Sequence, residues 1–291
     1  MKINLIQVPY DLGKKAQGMG LGPIRFMETN IVQKLQDFGH KLKVGTIHLE
    51  KPFRDEISAI VDLNTLLKKV IQDGVKAGYF PLILGGNCNT CLGTLAGLND
   101  PETGIIWFDA HGDFNTPETS PSGFFDGMPF AIATGQCHTD LWSQIADINP
   151  IKESHSLHIG GRDFDLEEQE LLEKSRVGVI KSIDLKRKEF KNKLLPVLTD
   201  LQSKTEKIYL HIDIDIVDPQ EAPGVDFQSP NGLTSEEVEV IIKMICERFV
   251  IKAAALTAYN PTKDEDNKTL NVGIHLLNAI VREITRANKL K

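Results

Sequence analysis

The sequence predicts a three-layer α/β/α fold built on a mostly parallel sheet, and three features predict it. Short apolar runs alternate with longer helix-patterned stretches from one end of the chain to the other. These runs are apolar on both faces, as strands covered by helices on each side require, whereas a half-exposed antiparallel sheet alternates apolar with polar residues. No linker rich in Pro, Ser or Gly separates two compositionally different parts, so the 291 residues are read as one domain, 1–291.

In chain order, strands are expected at Ile3 to Val8, Leu42 to Ile47, Phe80 to Leu84, Gly104 to Phe108, Ser156 to Ile159, Val177 to Ile180, Lys207 to Ile212 and Ala253 to Thr257. Helices are expected at Pro23 to Phe38, opened by its proline, at Glu56 to Ala77, at Thr234 to Arg248 with its Thr-Ser-Glu-Glu start, and at about Leu270 to Leu290. The Gly18-x-Gly20-x-Gly22 run lacks dinucleotide-fingerprint spacing and an acidic ribose partner, and is read as a loop.

Hydrophobic residues at 41% and charged residues at 25% match an ordinary soluble globule. A chain of this length hides roughly three quarters of its unfolded surface, so a metal ion is not needed simply to fold it. Apolar runs fall far short of the ~18 residues that a membrane span requires, and neither a signal peptide nor a transmembrane helix is expected. The net charge of −7, with no basic stripe, argues against nucleic acid or an anionic membrane as partner and favours cationic ligands. Four unevenly spaced cysteines, Cys88, Cys91, Cys137 and Cys246, make no disulfide framework and place the chain in the reducing cytoplasm.

Ligands of open α/β sheets bind past the carboxyl ends of the strands. Two motifs stand there. Asp109-Ala110-His111-Gly112-Asp113 follows the strand ending at Phe108, and an extended backbone would turn its three ligand-type side chains the same way. Asp213 and Asp215 end the strand from Lys207 in the same alternating manner. Buried carboxylates without a cation cost several kcal/mol, so four aspartates and an imidazole at adjoining strand ends point to a hard or borderline divalent metal, in an arrangement open to two ions sharing aspartates. His211 is read as a packed strand histidine and Asp218-Pro219 as turn chemistry.

With these motifs in view, the chain resembles the ureohydrolases, the arginase and agmatinase family. Val8-Pro9-Tyr10-Asp11-Leu12-Gly13, Gly22-Pro23-Ile24-Arg25, Gly85-Gly86, Ile159-Gly160-Gly161-Arg162-Asp163 and Asn260-Pro261 carry the resemblance together with the two aspartate motifs, and the N-terminal half looks closer to arginase. The resemblance implies a parallel eight-stranded α/β/α sheet, hydrolysis of guanidino C–N bonds with two Mn²⁺, and a trimeric or hexameric homo-oligomer. It further implies that Asp109 and Asp213 bridge the ions, His111 and Asp215 complete one and Asp113 serves the other. Asn115, Ser120 and Ser122 match the loop that grips a substrate α-carboxylate, and Asp163, Asp165 and Glu168 match carboxylates that hold its α-amino group.

Three positions depart from the family pattern. Cys88 stands in Gly85-Gly86-Asn87-Cys88 where the family places a histidine ligand of the first metal. Asp126, in Ser122-Gly123-Phe124-Phe125-Asp126-Gly127, stands where arginase has a proton-shuttling histidine, and Ala258 where the family has a glutamate that holds the guanidinium. Asp126 thus restores the carboxylate that Ala258 removes and is assigned, with Asp113, to catalysis. A thiol ligand disfavours Mn²⁺ relative to Zn²⁺, so the second site is expected to be weak or to take Zn²⁺. The expected substrate is a small cationic amino acid, arginine or a modified arginine. The alternatives are a metal-poor, non-catalytic binding or regulatory protein, and a thiol-based role for the Cys88-x-x-Cys91 pair.

Overall fold

Besides a short antiparallel pair, Tyr10–Asp11 with Lys14–Lys15, eight strands form the main sheet in the computed structural model, which describes residues 1–49, 53–186 and 190–290. They are β1 (Lys2–Val8), β2 (Lys41–Thr46), β3 (Phe80–Gly85), β4 (Thr103–Phe108), β5 (Ser156–Ile159), β6 (Gly178–Ile180), β7 (Lys207–Asp213) and β8 (Val250–Thr257). All pair in parallel in one sheet of order β2-β1-β3-β8-β7-β4-β5-β6. The two-residue strand period divides the apolar side chains between two cores. Ile3, Leu5, Ile106, Phe108, Ile208 and Leu210 face one layer of helices, and Ile6, Val8, Ile105, Trp107 and Tyr209 face the other.

Capping chemistry starts two of the expected helices where the sequence places them. Asp55 accepts from Ser58 N at 2.8 Å to open Glu56–Lys76, and Thr234 accepts from Glu237 N at 3.1 Å while Glu237 accepts from Thr234 N at 2.8 Å to open Ser235–Cys246. The C-terminal helix runs Lys268–Leu290.

Elsewhere the local structure departs from expectation. The stretch Pro23 to Phe38 is two helices, Gly22–Met27 and Ile31–Asp37. Between them Thr29 Oγ1 donates to Phe26 O at 2.6 Å and accepts from Ile31 N at 3.3 Å, so a side chain competes with the helical ladder. Gly18–Leu21 is a 3₁₀ turn leading into the first of these helices instead of a loop. Strand β8 begins at Val250, with a register shift between Ile251 and Ala253 that accommodates Lys252 within an apolar run. The helix Thr90–Leu98, absent from the expectation, is buried on nearly every side and so has no amphipathic period to reveal it. Among the described residues no helix is long and apolar enough to cross a membrane.

The four neighbouring strands β3, β8, β7 and β4 end together at their carboxyl ends. Phe108 pairs with Ile212, and Thr257 with Asp213, which places the loops after β4, β7 and β8 side by side.

Candidate metal and active site

The loop after β3 carries Cys88. It can lie this deep because Gly86 has no Cβ: one there would run into the Tyr10 carbonyl and the Gly20 backbone. Asn87 ties the loop to the N-terminal segment, accepting from Leu12 N at 2.6 Å and donating to Asp11 at 3.3 Å.

Past β4 and β7 the ligand-type side chains converge, by a different route from the strand alternation expected of them. The chain leaves the extended conformation at Asp109, whose Oδ1 accepts from His111 N at 2.7 Å, and Asp113 sits in the left-handed region at φ 48°. Asp213 Oδ1 accepts from Asp215 N at 2.8 Å, and Asp215 lies in the single 3₁₀ turn Ile214–Ile216. Each motif is a tight turn closed by its own first aspartate, which satisfies backbone N–H groups that a buried strand end would leave unpaired.

His111 Nδ1 lies 2.9 Å from Asp215 Oδ2 and 3.5 Å from Asp109 Oδ1. One ligand atom from each of Asp109, His111 and Asp215 lies within 4.8 Å of the others, and the same holds for Cys88, Asp109 and Asp113. Cys88 Sγ is also 3.0 Å from Asp213 Oδ2. The side chains alone leave this cluster electrostatically strained. Burial, then the neighbouring carboxylates, pushes Asp113 and Asp213 well above the ordinary carboxylate range and Asp109 up to about 6. Burial opposes a charge on His111, yet the Asp215 carboxylate and hydrogen bonds to Asp109 and Asp215 raise it to about 12. Burial also works against an ionised Asp215, but the His111 charge brings it below its ordinary value. The Cys88 thiol is pushed up by burial and then by Asp213, Asp113, Asp126 and Asp109. Asp113 Oδ2 is buried without a hydrogen-bond partner. A divalent cation would relieve all of these at once, and the donors fit one: carboxylate and imidazole at one position, carboxylate and sulfur at the other.

These residues line a pocket of about 400 Å³, and every other site residue expected from the sequence lines it too: Asn115, Ser120, Ser122, Asp126, Asp163, Asp165 and Glu168. Ser120 and Ser122 sit on an exposed loop, accepting from Gly123 N and Phe124 N, which leaves their hydroxyl protons free to donate. Asn115 Nδ2 donates to Asp165 at 2.9 Å, joining that loop to the start of the helix Leu166–Lys174. Asp163 is exposed, 3.9 Å from His111 Nε2. Glu168 is buried, and its oxygens accept from Phe114 N at 2.9 Å and Asp165 N at 3.3 Å; burial raises it to about 7. A Cβ on Gly112 would meet that carboxyl group at 2.5 Å. Asp126 is turned toward the Cys88 loop: Oδ2 accepts from Cys88 N at 3.0 Å, and Oδ1 accepts from Asn89 N at 2.9 Å and Asn89 Nδ2 at 3.0 Å. Ala258, at φ 65°, adds a methyl group to the wall.

Several supporting residues carry no mark in the sequence. Trp107 Nε1 donates to Asp109 Oδ2 at 3.0 Å and its ring stacks on His211. His158, held neutral by burial at about 4, bonds the His111 carbonyl at 2.6 Å. Arg162 bonds the carbonyls of Asp215 at 2.6 Å and Ser229 at 2.9 Å, strapping a loop that brings Phe227 over the pocket near Phe124. Only the strand-end position of Arg162, within Gly160-Gly161-Arg162-Asp163, offered a signal. Asp218 behaves as turn chemistry, accepting from Gln220 N and Gly232 N. None of Cys88, Cys91, Cys137 and Cys246 is in a disulfide.

Comparison with known proteins agrees with this geometry. The Arginase family model matches residues 1–282. The chain is 32% identical over 294 residues to an arginase of Bacillus caldovelox, covering 97% of this chain and 98% of the relative. The crystal structure of arginase from Bacillus subtilis matches with a TM-score of 0.87 at 29% identity, over 96% of this chain and 98% of that one. That of Entamoeba histolytica arginase in complex with L-ornithine gives 0.84 at 25%, over 96% and 98%. A match through both aspartate motifs and all eight strands places this chain in the arginase family, as an amidinohydrolase of the ureohydrolase group.

Proposed function

We propose that the protein is a dication-dependent hydrolase of a guanidino or amidino C–N bond in a small amino acid with a cationic tail, arginine or a modified arginine. The observation that carries this reading is the meeting, in one pocket, of two ligand clusters with head-group partners of both polarities. Asp109, His111, Asp213 and Asp215 would hold one ion, and Cys88, Asp109, Asp113 and Asp213 the other, Mn²⁺ being the ion at the first and Mn²⁺ or Zn²⁺ at the second. A bound dication supplies Lewis acidity and eases deprotonation of water at neutral pH.

The chain's own residues do the rest. Ser120 and Ser122 donate to the α-carboxylate, and Asn115, through Asp165, fixes the distance between that loop and the ammonium partners Asp163 and Asp165. Glu168 acts by holding the backbone of Phe114 and Asp165 in place. Asp113, with one oxygen unpaired, orients the attacking water and takes its proton. Asp126 acts in this reading through the Cys88 loop that it grips. The L-ornithine bound by the Entamoeba relative has the amino-acid head that these residues would grip.

Four cysteines without a disulfide between them support a cytoplasmic setting. We also read residues 1–291 as one functional domain and the assembly as a homo-oligomer, trimer or hexamer, which light scattering on the purified protein would establish. The function is tested by loading the protein with Mn²⁺ or Zn²⁺, measuring metal per chain, and screening guanidino and amidino amino acids for released urea or amine. Metal-dependent release from at least one of them is expected. No release across the panel from fully loaded protein overturns the reading.

A further inference from the structure

A line of buried polar side chains runs from the pocket into the core. Cys88 Sγ lies 3.0 Å from Asp213 Oδ2 and 3.3 Å from Thr257 Oγ1. Thr257 Oγ1 is 3.3 Å from His211 Nε2, and His211 Nδ1 is 2.8 Å from the Tyr209 hydroxyl. All of these residues are buried, Tyr209 and His211 completely. The register places Thr257 directly beside Asp213 on the neighbouring strand.

The number of protons sets the direction of this line. With Asp213 ionised beside a bound cation, a Cys88 thiol gives its one proton to that carboxylate and a thiolate has none, so a hydrogen bond between Thr257 and the sulfur has Thr257 as its donor, the Ile212 carbonyl at 3.3 Å being the other acceptor that this proton reaches. Having used its only proton, Thr257 accepts from His211 Nε2–H. A neutral imidazole carries a single N–H, so Nδ1 is the acceptor of the Tyr209 proton. His211 cannot readily turn to reverse this order, because the Trp107 ring lies against it at 3.6 Å between centroids and 13° between planes.

We propose that Thr257, backed by His211 and Tyr209, is a positioning residue that holds the Cys88 sulfur as a metal ligand by donating a hydrogen bond to it. The proposal rests on the reading of Cys88 as a ligand of the second ion. A hydrogen bond to a ligating atom fixes its orientation and tunes its donor strength, and losing such an outer partner typically weakens metal binding about 10- to 100-fold. Trp107 does the equivalent for Asp109 through its Nε1–H. The layer behind the site therefore supports both ligand clusters from one stack of side chains.

Co²⁺ titration of the whole protein tests this, because sulfur coordination gives a near-ultraviolet sulfur-to-cobalt charge-transfer absorption independent of activity. The unmodified protein should develop that band, and Cys88→Ser should abolish it. In Thr257→Val the ion on the sulfur should bind about tenfold or more weakly. Its band should also move to longer wavelength, since a sulfur without its donor gives up electron density more easily. Thr257→Ser should restore both affinity and band position, and His211→Gln should shift the band in the same direction as Thr257→Val, which keeps the test open if the valine variant does not fold. An unchanged affinity and band position in Thr257→Val, or in His211→Gln should the valine variant not fold, overturns the positioning role and leaves Cys88 a ligand. Absence of a sulfur band in the unmodified protein overturns both.

Discussion

Asp126 and Cys88 are joined through the backbone: the Asp126 carboxylate accepts from Cys88 N at 3.0 Å and, through its other oxygen, from Asn89 N at 2.9 Å. A carboxylate bound in this way clamps the turn that presents the thiol. Asp126→Ala leaves those buried donors unpaired and is expected to lower stability by about 2–3 kcal/mol, read as a reduced urea midpoint. A midpoint equal to that of the unmodified protein would show that the clamp contributes nothing.

Because sulfur is a soft donor and Mn²⁺ a hard ion low in the divalent affinity series, the two ion positions should be unequal. Protein supplied with Mn²⁺ should bind nearer one ion than two. Cys88→His should raise the stoichiometry towards two while Asp126 and Ala258 still limit arginine turnover. Metal analysis after gel filtration decides this, and two equally tight Mn²⁺ ions in the unmodified protein refute it.

The serine loop faces the acidic start of the helix Leu166–Lys174 across the Asn115–Asp165 bond, which suits a zwitterionic head group. Removing the substrate's carboxylate forfeits a charge-assisted hydrogen bond worth about 1.5–3 kcal/mol, or roughly ten- to a hundredfold in affinity. Competition between an amino acid and its decarboxylated amine measures the difference, and equal affinities contradict the assignment.

Burial raises Glu168 to about 7, against hydrogen bonds from Phe114 N and Asp165 N, whereas the unfolded chain titrates it near its ordinary 4.5. Between these values the folded protein retains a proton that the unfolded chain has released, so this group withdraws stability as pH rises through the window. Glu168→Gln cannot ionise. In chelator-treated protein, the loss of stability between about pH 5 and about pH 7.5 should be smaller for the variant than for the unmodified chain. Equal losses would show that Glu168 is already ionised at the lower pH.

Strand positions were legible in the sequence because both faces of a parallel strand are buried, so runs such as Ile105 to Phe108 are continuously apolar. Helix starts were legible where a local capping pair exists, as at Thr234 and Glu237. The helix Thr90–Leu98 was not, since a segment buried all round has lost the amphipathic period. The break at Thr29 was not either, because a single side-chain hydrogen bond decides between a continued helix and two short ones.

For the site, the sequence alone determined which donors stand at the strand ends, since Asp109, His111, Asp113, Asp213 and Asp215 lie within five residues of β4 or one turn of β7. Tertiary structure decided how they meet. Turn closure by Asp109 and Asp213, the left-handed Asp113 and the direction in which Asp126 points all depend on backbone hydrogen bonds that no spacing rule encodes. It also decided what stands behind them. Trp107, His211 and Thr257 are 104 and 46 residues apart in sequence, and they touch because sheet order makes β4, β7 and β8 neighbours, with Trp107 paired to His211 and Thr257 to Asp213. Local sequence pattern carries the burial of each strand, but strand order is settled by packing of the whole sheet against its helices, and the contacts among those three side chains exist only in that order.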